Sequence, residues 1–149
     1  MEKAKTIAVN LTVIALLSGL LIWGNTGYRQ WVQFNKGEES LARNDLIAAI
    51  ADYESAIHMY TPLSPLVESS AAKLWEIASK CEANGDVERA LIACRSLRSS
   101  FYAVRSLYQP GKEWIARSDA KIAELVKLQA MKKQNGFDRD ENDKQGKIR

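Results

Sequence analysis

The chain has 149 residues, enough for one domain with appended segments. Its 21 Lys and Arg against 18 Asp and Glu leave a net charge of +3. These charges are mixed along the chain, which excludes the concentrated basic face of a nucleic-acid binder. Two cysteines, Cys81 and Cys94, cannot build a four-cysteine zinc site or a disulfide framework, and a single histidine, His58, rules out multi-histidine metal centres. No nucleophile–base pair, glycine-rich phosphate loop or metal-ligand spacing occurs. The sequence therefore predicts no catalytic residue, no cofactor and no metal, and a role other than catalysis.

Residues 7–23 carry no charge. As a helix they span about 25 Å, at the short end of what a bilayer needs. A cleaved signal peptide is the alternative, with Lys3 and Lys5 as its basic end. The run is longer than a usual signal core, and bulky residues follow it where a small-x-small cleavage site would lie. Trp23, Tyr28 and Trp31 fit an interfacial aromatic belt, so the sequence predicts a retained single-pass anchor within residues 1–28. Two N-terminal lysines, against the dispersed Arg29, Lys36 and Arg43, place the N-terminus in the cytoplasm of a bacterial-type inner membrane and the remainder outside. Ala8, Thr12, Ala15 and Gly19 form a small-residue stripe on which another membrane helix could pack, although such residues are common in membrane helices generally.

From residue 29 to 133 the pattern is all-helical. One apolar-periodic segment runs from about residue 28 to 42, with Trp31, Phe34 and Leu41 on its face. Asn44 or Asp45 caps the next, whose stripe is Leu46, Ala49, Ile50, Tyr53, Ala56, Ile57 and Tyr60 and which stops at Thr61-Pro62. Ser64 caps a third helix opened by Pro65, and Asn84-Gly85 ends it. Asp86 caps a fourth, expected over 87–108. "QPGKEW" separates it from a fifth through Trp114, Ile115, Ile122, Leu125 and Val126. The segment 134–149 has mixed charge and no apolar period, so it is expected to be a disordered tail.

"NDLIAAIADYESAI" and "GDVERALIACRSLR" align with Ala49 on Ala90, Ile50 on Leu91, Tyr53 on Cys94 and Ala56 on Leu97, an interval of 41 residues. Each follows another helical segment. With Gly37, the Asn44-Asp45 turn, Ala49, Tyr53, Ala56 and Pro62, this resembles the tetratricopeptide repeat family over residues 30–98. The departures are Lys36 at a usually apolar place, Pro62 one residue late, Ala78 for glycine, and Cys94 for an aromatic. The resemblance implies about two antiparallel helix pairs with the fifth helix as a cap, and a scaffold that binds a partner protein. It implies no chemistry.

Under that resemblance the first helix of each pair lines the binding face. Lys36, Lys73 and Lys80 then become candidates to receive an acidic partner segment. Arg95, Arg98 and Arg105 form a second candidate face on the fourth helix, suited to carboxylate or phosphate oxygens. A solvated charged surface is the alternative for both sets. Two functions follow: a membrane-anchored scaffold, or an accessory subunit of a membrane enzyme or transport complex held through its anchor.

Overall fold

The computed structural model describes residues 2–61, 64–106 and 109–146, the stretch from 135 as backbone only. Among these are five helices and no strand: α1 (Glu2–Ala42), α2 (Leu46–His58), α3 (Pro65–Ala83), α4 (Val87–Ala103) and α5 (Lys112–Gly146).

The segments expected on either side of residue 28 are one helix, α1, of 41 residues. Gly24, Asn25 and Gly27 are weak helix formers, each costing up to ~1 kcal/mol relative to alanine, but none removes a backbone donor as proline would. Thr26 Oγ1 donates to the Ile22 carbonyl at 2.9 Å, keeping its hydroxyl on the helix. The next turn is fixed by packing. Gln30, fully buried, donates from Nε2 to the Ala56 carbonyl (2.9 Å), and its Oε1 accepts from Ser64 Oγ (2.6 Å).

Two hairpin turns repeat one geometry. At Asn44 (φ 59°) and Gly85 (φ 76°) the chain enters the left-handed region that ends a helix. The following residue's N–H then reaches back to the helix's last turn, Asp45 to Ser40 and Asp86 to Cys81, both at 2.9 Å. Asp45 and Asp86 in turn cap α2 and α4 by accepting from Ala48 N and Arg89 N. Ser64 caps α3 with Pro65 at its first turn.

α2 folds back on α1, α3 packs beside both, α4 folds back on α3, and α5 covers α4. The core between them is formed by Tyr53, Ile57, Leu74, Ile77, Leu97, Phe101 and Leu125. Ala49 and Ala56 have no exposed surface, as the small-residue pattern predicts. A Cβ on Gly37 would stand 2.6 Å from the Tyr53 ring, so glycine is what lets α1 and α2 meet there.

Two boundaries differ from the sequence reading. α4 ends at Ala103 with Val104 as its cap, several residues before 108, because the chain must turn to bring Gly111 (φ 62°) under the Phe101 ring. Pro62 and Tyr108 lie outside the described residues. α5 continues helical to Gly146, past residue 134, where a disordered tail was expected; this stretch contains no proline, and glycine recurs only at Gly136 and Gly146.

Candidate interaction surfaces

α1 carries two different surfaces on one rod. Over residues 7–23 every side chain is exposed, including Leu17, Leu20, Leu21 and Trp23. From Gln30 onwards one face is buried in the helical domain. Ala8, Thr12, Ala15 and Gly19 are all exposed, and the space around Gly19 is open. Thr12 Oγ1 is already bonded to the Ala8 carbonyl at 2.9 Å. α1 is long and apolar enough to cross a membrane over part of its length.

The lysines of the first candidate face are not equivalent. Lys36 is exposed and lines an open groove of about 520 Å³ with Trp31, Val32, Asn35, Glu38 and Glu39. Lys73 lies 3.1 Å from Glu38 Oε1, joining α3 to α1. Lys80 is exposed, with no ion pair among the described residues. The face also bears Glu38 and Glu39, so it is less cationic than the lysines alone suggest.

Glu38 is the hub that sequence reading missed. Its Oε1 accepts from the Tyr53 hydroxyl at 2.6 Å and its Oε2 from Lys73 Nζ at 3.3 Å. Burial pushes the Glu38 pKa up, but these two hydrogen bonds and the Lys73 charge outweigh it and leave the pKa below its ordinary value. Burial, then the bond to Glu38, drives the Tyr53 pKa well above its usual range. Three helices thus meet at one carboxylate, and Lys73 serves the fold.

The arginines also divide. Arg95, Arg98, Ser99 and Tyr102 surround a shallow cavity of about 300 Å³. Arg98 is paired with Asp119 of α5 at 3.2 Å and lies over the Tyr102 ring at 5.7 Å. Arg105 falls beyond the end of α4 and so leaves the helical face it was expected to share. Between α3 and α5, Arg117 sits 4.5 Å from the Trp75 ring centroid and 4.6 Å from that of Trp114. The Trp114 indole donates to Glu68 at 3.0 Å.

No family model matches the chain, and no curated protein or solved structure matches it. The surfaces above therefore carry the functional argument by themselves.

Cys81 and Cys94 are buried free thiols, and burial raises both pKa values, that of Cys94 to about 11. Such thiols are protonated and poorly nucleophilic. His58 is exposed, with Nε2 3.8 Å from Glu54 on its own helix. Among the described residues no group of three His, Cys, Asp or Glu side chains is placed to hold a metal ion. Gln30 escaped sequence reading although a signal was there: it lies four residues before Phe34, on the same stripe as Gly37 and Leu41.

Proposed function

We propose that the chain is a single-pass, membrane-anchored helical scaffold that holds a partner protein beside the membrane. The observation that carries this is the continuity of α1, whose exposed apolar half runs without a linker into the first helix of the domain core. An apolar rod of that kind is satisfied by lipid and would be a liability in water. The lysines at positions 3 and 5 favour a cytoplasmic N-terminus in a bacterial-type inner membrane, with the domain outside.

The domain is read as two tetratricopeptide-like pairs, α1–α2 and α3–α4, capped by α5. Support comes from equivalences 41 residues apart: Asn44 with Gly85 at the turns, Asp45 with Asp86 as caps, and the buried Ala49, Tyr53 and Ala56 with Ala90, Cys94 and Leu97. A scaffold of this kind presents α1 and α3 to its partner, and the exposed Lys36 and Lys80 are the side chains suited to an acidic segment. Each exposed pair would contribute about 0–1 kcal/mol and weaken with salt. Arg95 offers a second such contact on α4.

A second reading is an accessory subunit of a membrane complex, held through the anchor. The unpacked stripe of Ala8, Thr12, Ala15 and Gly19 favours it. Cross-linking and co-purification of the full chain from detergent-solubilised membranes separate the two. Loss of the partner from Lys36→Glu/Lys80→Glu supports the scaffold. Loss only from Ala15→Leu/Gly19→Leu supports the accessory subunit, and retention by both variants would reject both surfaces.

A further inference from the structure

We infer that the anchor-side end of the helical domain rests on an anionic lipid surface, with Arg29, Arg105 and Lys112 as its headgroup contacts. The inference rests on reading the apolar half of α1 as a membrane anchor.

The uncharged run of the unbroken helix extends from Thr6 to Tyr28. At about 1.5 Å per residue this is about 35 Å, against a hydrocarbon core of about 30 Å. Arg29 therefore stands at the edge of the hydrocarbon. The next residue, Gln30, is already buried in the domain. No flexible segment separates lipid from domain, so the domain cannot lift away, and whichever of its surfaces shares the level of Gln30 meets the headgroups.

Hydrogen bonds and packing identify that surface. Gln30 is tied to Ala56 near the end of α2 and to Ser64 at the start of α3. A cavity of about 180 Å³ gathers Tyr60, Thr61 and Ser64 from that connection with Phe101 from the last turn of α4 and Pro110 and Gly111 from the next connection. The α2–α3 and α4–α5 connections therefore both lie at the anchor end, while the Asn44 and Gly85 turns lie at the other. Lys132 of α5 confirms the polarity by donating to the Gly85 carbonyl at 2.8 Å.

The exposed side chains at the anchor end suit a charged interface. Arg29, Arg105 and Lys112 are exposed, and none of their side chains has a hydrogen bond or ion pair among the described residues. Tyr28 and Trp31, stacked at 6.1 Å and both exposed, supply the amphipathic rings favoured at the headgroup level. Of the acids at this end, Glu68 accepts from Trp114 and Glu54 from Ser96, leaving Glu113 beside Lys112. These carboxylates keep their charge, but Arg29, Arg105 and Lys112 have no carboxylate partner among the described residues. Cations near an anionic leaflet are attracted within a Debye length. Lipid is the occupant rather than protein because the anchor delivers this end to it.

The test uses the full chain in lipid nanodiscs, either all phosphatidylcholine or containing phosphatidylglycerol. A spin label on Ser106→Cys reports depth through its accessibility to dissolved oxygen and to a water-soluble nickel chelate. A label on Ala83→Cys reports the opposite end, and the buried Cys81 and Cys94 remain unlabelled. The expected result is a headgroup depth for the Ser106 label in phosphatidylglycerol discs, shifting to water in Arg29→Gln/Arg105→Gln/Lys112→Gln. The Ala83 label should stay aqueous throughout. A Ser106 label in bulk water, with the chain still co-eluting with the discs, overturns the inference and leaves the anchor standing. A depth unchanged by lipid charge and by the triple variant overturns the role of the cations. A chain that does not enter discs overturns the anchor and this inference together. Unchanged circular dichroism of the triple variant, or the same shift from Arg105→Gln alone, keeps misfolding from imitating the result.

Discussion

Gly37 and Tyr53 form the contact on which the first hairpin turns. Gly37→Ala would gain up to about 1 kcal/mol of helix propensity. It would also push a methyl into a ring that is fully buried and held by Glu38 through its hydroxyl. Overpacking of that kind costs about 1–3 kcal/mol, so net destabilisation is expected in urea unfolding followed by circular dichroism. Tyr53→Ala should cost about 3–5 kcal/mol in the same assay. Titration adds a signed expectation. The Cys94 thiol is raised by burial from 9.0 to about 11 and Tyr53 is raised as well. Their contribution is complete below the unfolded pKa and is lost as pH rises through the folded one. Stability should fall between about pH 9 and 11, and Cys94→Ala should make that fall shallower. Glu38 has the opposite sign: its lowered pKa contributes stability above the ordinary value of 4.5, which is lost as pH falls through the folded value.

The starts of α2, α3 and α4 and the stop at Gly85 were legible in sequence because each is written in local chemistry. Asp45, Ser64 with Pro65, Gly85 and Asp86 all act where their side chains or backbone preferences place them. What could not be read was set by contacts distant in sequence. The anchor within 1–28 and the segment from about 28 to 42 read as separate elements, yet α1 is one helix, held at Gln30 by α2 and α3. Nothing in the sequence around Glu38 marks its role, because Tyr53 and Lys73 reach it from two other helices. Lys73 shares a first-helix face with Lys36 and Lys80 under the repeat resemblance, which says nothing of a partner on another helix. Gln30→Leu tests this junction. It removes both bonds and leaves the Ala56 carbonyl and the Ser64 hydroxyl without their partner, which should cost about 1–3 kcal/mol in thermal or urea unfolding.

At the scale of the molecule, the apolar half of α1 and the helical domain are joined without a break, and under the proposed function charge on the domain surface is divided between folding and docking. Lys36→Glu/Lys80→Glu should leave the unfolding midpoint nearly unchanged while weakening partner capture at low salt. Adding Lys73→Glu should lower the midpoint too, since it faces Glu38 with a like charge. Alkaline carbonate extraction of membranes carrying the full chain shows whether α1 crosses the membrane. The intact chain, with residues 7–23 retained, is expected to stay in the membrane pellet. Recovery in the soluble fraction of a chain beginning near residue 25 would contradict it.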